Sequence, residues 1–402
     1  MKTILFLECN ISGTGVSAIK LAKERGYHTV LFTKERHYYA QLADNPMLYI
    51  DEVVELNTDS MATILSHALD YNLYGIVAFD DYRLINAAAA SHTFNLPSPS
   101  LIALTACRYK HLTRQYLHQH NANCRYKVGN IHDKFDLNNM QFPVVIKPCD
   151  DSGSSQVTIC YSEEDALTAV QALSEFRVNR RGYQLSPHYL VEEFIEGDEY
   201  SAEAYWDSKD NEWKILGVTK KYTTSGQYAV EIGHDFPDDT LDIENITKTI
   251  IAWLTQIGLS HTVAHVEFKL SHNEIKLIEI NPRVAGGMID TLCYQSTGFD
   301  LVECYLSLHV KDMVYTPKLC ANKQYTSIRF LTSEKPGTII GFHANPQLSA
   351  PLLFNFVPTP IHVTTLKDSY SRLGYVITTA SERYLAGKKA ESWLNHVKPL
   401  YK

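Results

Sequence analysis

The sequence predicts a chain of several domains in the α/β and α+β classes. Three observations carry that prediction. Strand-like and helix-like segments alternate through residues 2–79, which implies a doubly wound parallel sheet. Paired apolar-alternating runs follow between 142 and 280, the pattern of antiparallel hairpins. After Lys311 the pattern changes and short strands dominate. A chain of 402 residues, 45% hydrophobic and 20% charged, has ample material for such cores.

Residues 2–8 read as a short buried strand, and Asn10-Ile11-Ser12-Gly13-Thr14-Gly15 as a small-residue turn. Val16, Ile19 and Ala22 recur at helical spacing until Gly26 stops the helix. Strands over 28–33, 52–56 and 75–79 and a helix over 61–69 complete the first unit. Pro97 and Pro99 mark a boundary, giving an expected domain of 1–98. Two further units are expected over 99–201 and 202–320. In them, a basic helix carries Cys107 to Arg114, strands cover 142–148 and 156–160, and Ser162 caps a helix to Leu173. The polar stretch 176–187 reads as a mobile loop. Strands over 189–191, 201–206 and 214–221 come next, then a long Gly/Thr/Tyr-rich loop over 222–237 that suggests a lid. A helix over 243–258, a hairpin and a helix over 300–308 lead to the last portion, 321–402. There, strands are expected at 324–331, 338–342, 361–366 and 374–379, with a final helix over 381–397.

The net charge of −8 argues against a general nucleic-acid binder. No apolar run approaches the ~20 residues of a membrane span, and the start lacks the core and cleavage site of a signal peptide. Eight cysteines are scattered without a CxxC or zinc-like spacing, so reduced thiols in a cytoplasmic protein are expected.

The hairpin is the most informative stretch. Val266 to Leu270 and Ile275 to Ile280 alternate apolar and polar residues around the turn Ser271-His272-Asn273-Glu274. Glu279 and Asn281, two apart, leave the same strand face, and Glu267 lies on the partner strand. Two carboxylates and an amide oxygen make a hard-oxygen site suited to Mg²⁺. Arg283 could hold a further anionic oxygen. For the hairpin taken alone, a solvated acidic face is the alternative reading.

Elsewhere, Lys147 ends a strand and is followed by Asp150-Asp151-Ser152-Gly153-Ser154-Ser155. Backbone N–H groups of such a loop can fold over phosphates, with the lysine as a point charge; a plain hairpin turn is the alternative. In Glu192-Glu193-Phe194-Ile195-Glu196-Gly197-Asp198-Glu199, a hinge strand could bond a purine edge and a later carboxylate hold ribose hydroxyls. The Gly13/Gly15 turn lacks the full GxGxxG pattern and a ribose-binding acid, which disfavours a dinucleotide site; it fits a cleft wall instead.

Together, "VIKPCDDSGSSQV", "LVEEFIEGDEYSAE" and "EINPRVAGG" resemble the ATP-grasp superfamily over roughly residues 1–310. The segment Glu231 to Pro237, and His265 ahead of Glu267, most resemble the carboxylate–amine ligase branch that includes bacterial L-amino acid ligases. The Glu334-Lys335-Pro336-Gly337 region is similar to the small closing domain of those ligases. The resemblance implies an ATP-grasp fold and ATP-driven amide formation through an acyl phosphate, with ADP and phosphate released. It implies that Lys110 and Lys147 contact ATP phosphates, and that Ser152, Gly153, Ser154 and Ser155 close over them. Glu192, Glu193 and Ile195 would face adenine and Glu199 the ribose. Glu267, Glu279 and Asn281 would hold two Mg²⁺ ions, with Mn²⁺ as an alternative metal. Arg283, with Lys147 and Ser154, would serve the transferred phosphoryl group. His234, His265, Gly286, Gly287 and Met288 would meet the substrates, either histidine being a candidate base and Lys220 or Lys221 a weaker addition. Small carboxylates and amines, amino acids above all, are the implied partners; oligomeric state, a homodimer included, stays open. Competing readings are a biotin-carboxylase-like enzyme, a non-catalytic ATP-binding scaffold and, weakest, a dehydrogenase.

Overall fold

The computed structural model describes every residue except 11, 12, 41, 43, 121, 138, 273, 323, 345–349 and 365. Ile11, Ser12 and Asn273, expected in turns, thus lie outside the described residues. The first unit is a parallel sheet in the order β3-β2-β1-β4. Its strands are β1 (Thr3–Leu7), β2 (His28–Thr33), β3 (Glu52–Glu55) and β4 (Leu73–Val77). Ile4 and Phe6 pack towards α1 (Thr14–Glu24), while Leu5 and Leu7 pack towards α2 (Met61–Ala68) and α3 (Leu84–Thr93). Two apolar faces on one strand are what a doubly wound sheet requires.

The expected basic helix is two helices, α4 (Leu101–Arg108) and α5 (Lys110–Tyr116). Tyr109 between them is extended, with φ −98° and ψ 100°, so Lys110 opens the second helix. A four-stranded antiparallel sheet follows, ordered β5-β8-β6-β7. It consists of β5 (Tyr126–Asn130), β6 (Val144–Pro148), β7 (Thr158–Cys160) and β8 (His188–Glu193). α6 (Glu163–Glu175) covers it, started by a capping box between Ser162 and Asp165. The loop 176–187 is not loose: Arg181 reaches back to the Cys9 carbonyl at 3.1 Å and to Asp80 at 3.4 Å.

An eight-stranded sheet, β13-β12-β9-β10-β11-β14-β18-β16, forms the floor of the molecule. Its strands are β9 (Asp198–Asp207), β10 (Glu212–Thr223), β11 (Glu231–Phe236), β12 (Val263–Ser271), β13 (Glu274–Asn281), β14 (Tyr325–Leu331), β16 (Leu353–Phe356) and β18 (Gly374–Ala380). β15 (Gly337–Ala344), β17 (Ile361–Val363) and β19 (Val397–Tyr401) make a small third antiparallel sheet. The helices α7 (Ile243–Ile257), α8 (Ile289–Thr297), α9 (Leu301–His309) and α10 (Arg383–Asn395) complete the order. The expected boundary at 201 falls inside β9, and strands from beyond 320 extend the same sheet.

The largest correction concerns 222–237. The sequence reads as a long lid, but 231–236 is an interior strand pairing Lys221 with His234 and Asp235 with Ser327. Alternation fails as a signal there because Gly233, His234 and Asp235 are all buried. α3, α8, β5, β16 and β19 were also not anticipated from the sequence.

No helix among the described residues is long and apolar enough to cross a membrane. His309 ends α9, buried, with Nδ1 at 2.8 Å from the Tyr305 carbonyl. Burial lowers its pKa from 6.5 to about 4. Below pH 6.5 the unfolded chain therefore takes up a proton that the folded chain refuses until about pH 4. Stability should fall with pH across that window. The slope of melting temperature between pH 7 and pH 5 should be shallower in His309→Gln than in the parent; an identical slope contradicts the assignment.

Candidate functional site

A cavity of about 810 Å³ lies between the two antiparallel sheets, the C-terminal ends of the parallel strands and residues 353–375. It is lined by Lys110, Lys147, residues 151–155, Glu192 to Ile195, Glu199, Glu267, Glu279, Asn281, Arg283 and Gly286 to Asp290. The sequence-derived candidates therefore converge on one space, with His265 among the lining residues and His234 behind them.

The hairpin supplies the centre. β12 and β13 pair Glu267 with Glu279 and His265 with Asn281, with a bulge after Glu267. The Asn281 amide donates to a Glu267 carboxylate oxygen at 3.3 Å. Glu279 accepts an ion pair from Lys110 at 2.9 Å, and the same ammonium donates to the Asp151 carbonyl at 2.7 Å. Lys110 thereby ties the hairpin to the start of the small-residue loop. That loop turns through left-handed backbone at Gly153 and Ser154 (φ 69° and 58°). Tyr82 closes it from the parallel-sheet unit, its hydroxyl 2.7 Å from Asp151 and 2.9 Å from Ser152.

The acidic side chains each face a cation of the chain. Glu192 lies between Lys147 at 2.6 Å and Arg114 at 2.7 Å. Burial pushes its pKa up, but Arg114 and Lys147 outweigh burial and hold it at about 2. Its carboxylate is thus committed to those cations, and it does not face a purine freely. Glu193 pairs with Arg125 at 3.3 Å, and the Ile195 carbonyl accepts from Lys269 at 3.1 Å. Glu199, expected at a ribose, belongs to a half-buried acidic cluster on the cavity wall. One carboxylate oxygen from each of Glu199, Glu231 and Glu267 lies within 4.8 Å of the others. Lys221 enters that cluster at 2.7 Å from Glu231, 3.1 Å from Glu267 and 3.9 Å from Glu199. Burial would lower the Lys221 pKa, yet the three carboxylates raise it, so the ammonium persists. Its neighbour Lys220 faces the other way, to Asp198 at 2.7 Å.

Arg283 makes a two-point contact with Asp81, at 2.6 and 2.7 Å, across 202 positions of sequence. The two histidines differ sharply. His265 lies between Glu203 at 2.9 Å and Glu267 at 3.2 Å. Burial lowers its pKa, but Glu203 more than reverses this and brings it to about 9. The two carboxylates thus favour its protonated form at neutral pH. His234 is fully buried, and neither ring nitrogen has a hydrogen-bond partner among the described residues. Burial lowers its pKa to about 3, so it stays neutral. Asp81, Arg114, Arg181, Glu203, Tyr370 and Arg372 were missed by the sequence reading. No local pattern marks them, since their partners lie far along the chain.

The site's residues suit a nucleotide with divalent cations. Oxygen donors face the cavity from Glu267, Glu279 and Asn281, and lysines stand beside a loop with left-handed turns. Residues 140–292 match the family model described as the ATP-grasp domain. An L-amino acid ligase from Bacillus licheniformis has the same fold, with a TM-score of 0.80 and 16% identity, over 100% of this chain and 99% of its own. The biotin carboxylase domain of a Hydrogenobacter thermophilus 2-oxoglutarate carboxylase, solved with MgADP, ADP and bicarbonate, has a TM-score of 0.72. It is 16% identical, over 100% of this chain and 91% of its own. In sequence, the dapdiamide A synthase of Enterobacter agglomerans is 24% identical over 237 residues, 57% of this chain and 54% of its own.

Gly286 has open space where a side chain would begin, whereas a Cβ on Gly287 would lie 2.9 Å from His234 Nε2, at φ 61°. Gly287→Ala should therefore destabilise the protein by about 1–3 kcal/mol, through strain and overpacking. Urea unfolding measures this, with Gly286→Ala as the milder comparison. Equal stability of the two variants contradicts the packing argument.

Proposed function

We propose that the chain, whose residues 140–292 match the ATP-grasp domain model, is an ATP-dependent carboxylate–amine ligase. The observation that carries this reading is the one-sided grouping of Glu267, Glu279 and Asn281 over the cavity, with Asn281 and Glu267 3.3 Å apart. The likeness to an L-amino acid ligase over the whole chain supports amino acids as the substrates and a dipeptide or related amide as the product. A carboxylate is a poor acyl donor because oxide is a poor leaving group. Phosphorylation by ATP gives an acyl phosphate, the amine attacks its carbonyl carbon, and phosphate leaves. Bound Mg²⁺ supplies neutralisation of the charge spread over the terminal phosphates. Glu267, Glu279 and Asn281 hold it, in this reading.

The chain's own groups then divide the work. Lys147 and Lys110 provide fixed positive charge beside the phosphates. Residues 152–155 cover them and exclude water, which would otherwise hydrolyse the acyl phosphate. Arg283, oriented by Asp81, meets the charge that develops on the reacting carboxyl group. Protonated His265 keeps Glu267 in place, and a carboxylate takes the amine's proton, because burial leaves His234 too weak a base to hold it.

Purified protein incubated with ATP, Mg²⁺ and pairs of amino acids should release ADP and phosphate only when a productive pair is present. AMP with pyrophosphate would point to adenylation, and bicarbonate-dependent ADP release to carboxylase chemistry. Glu279→Gln should lower turnover by about 10²–10³ while leaving the folded circular-dichroism spectrum unchanged. Normal turnover with unchanged Mg²⁺ dependence would falsify the metal assignment.

A further inference from the structure

A short segment of the closing portion, 368–372, touches both the small-residue loop and the acidic cluster. Asp368 pairs with Arg180 of the loop 176–187 at 3.2 Å. The Ser369 N–H points at the Gly153 carbonyl at 3.5 Å. The Tyr370 ring covers Gly153 so closely that a Cβ there would lie 3.3 Å from it, and the Arg180 guanidinium sits over the same ring at 5.1 Å. Two residues on, Arg372 donates to the Glu231 carbonyl at 2.9 Å and to its carboxylate at 3.0 Å. Glu231 is the residue that holds Lys221 beside Glu267. Five consecutive residues thus bridge the proposed phosphate cover and the proposed metal-binding hairpin.

We propose that 368–372 is a strap that holds the small-residue loop shut, with Asp368 and Tyr370 as positioning residues for phosphoryl transfer. This rests on the reading that residues 152–155 cover nucleotide phosphates. The loop has little holding power of its own. Its backbone is turned left-handed at Gly153 and Ser154, and its partners Tyr82 and Lys110 grip only Asp151 and Ser152. Gly153 is held from the other side by the strap alone among the contacts described. The absence of a side chain at Gly153 is what lets the Tyr370 ring approach it so closely. Arg372 anchors the far end of the strap on Glu231, so a substrate group that draws on Arg372 or Glu231 alters the same segment that covers the phosphate loop. ATP consumption is thereby linked to events at the acid cluster through five residues, without a long-range relay.

Hydrogen–deuterium exchange of the backbone over 149–160 tests this in the full chain, with and without the probe Mg-AMP-PNP. Tyr370→Ala and Asp368→Ala should each speed exchange there by roughly fivefold even without nucleotide. Tyr370→Phe, which keeps the ring on Gly153, should match the parent. Exchange over the strand 3–7 should not change, which excludes general unfolding. The Arg180→Ala, Asp368→Ala double variant should speed exchange by less than the product of the two single effects, since the ion pair they share is lost once. Exchange at 149–160 unchanged in both Tyr370→Ala and Asp368→Ala overturns the strap. Mg-AMP-PNP failing to slow exchange in the parent instead removes the nucleotide reading, while the nucleotide-free arm still measures the strap. In turnover, Tyr370→Ala should lower kcat for ADP release about tenfold with KM for ATP nearly constant, the signature of lost positioning. A rise in KM alone contradicts a positioning role.

Discussion

The structure depends on the pairing of buried charge around one antiparallel hairpin. Glu279 answers to Lys110, Glu267 to Lys221 and His265, Glu192 to Lys147 and Arg114, and Arg283 to Asp81. A buried carboxylate left without such a partner is heavily penalised or takes up a proton. These pairs therefore fix how the two antiparallel sheets and the parallel unit face one another. They also leave the cavity poised: its cations and its oxygens are already in place before any ligand arrives. Such preorganisation costs stability to build, and the hydrophobic clusters beneath the sheets offset it. Val266, Phe268, Leu277 and Ile280 on the reverse face of the hairpin are all nearly or fully buried, in one cluster with residues of α4 and α7.

The two faces of β12 and β13 divide these tasks. One face is apolar and packs on Trp253 and Leu254; the other presents Glu267, Glu279 and Asn281. Because side chains alternate along a strand, a slip of one residue would bury the acids and expose the core. Register is thus set by the hydrophobic face and inherited by the functional one.

This explains which features were legible in the sequence. The hairpin's alternation is local, so Glu267, Glu279 and Asn281 could be assigned to one face from spacing alone. The parallel unit was legible for the same reason, from alternating strand and helix patterns with Gly26 as a stop. What could not be read depends on distant partners. Nothing near Glu192 says that Arg114, 78 positions away, will occupy it, and nothing near Arg283 names Asp81. The strand 231–236 was hidden because Gly233, His234 and Asp235 are buried in succession ahead of Phe236, so no apolar alternation marks it and a lid was expected where a sheet interior lies. Lys220 and Lys221 could not be ranked until the sheet showed which one faces the cavity side.

The histidines show why residue type alone misleads. His265 and His234 were equal candidates for a base, yet neighbouring carboxylates make one a cation and burial keeps the other neutral. Chemistry in this cavity follows from the partners each group finds.

The most direct test of the account is the position of a divalent cation. Crystals grown with Mn²⁺ and ADP should show anomalous density bonded to oxygens of Glu267, Glu279 and Asn281 and facing the terminal phosphate. Manganese bound to the nucleotide but remote from those three side chains, or absent from the hairpin altogether, contradicts it.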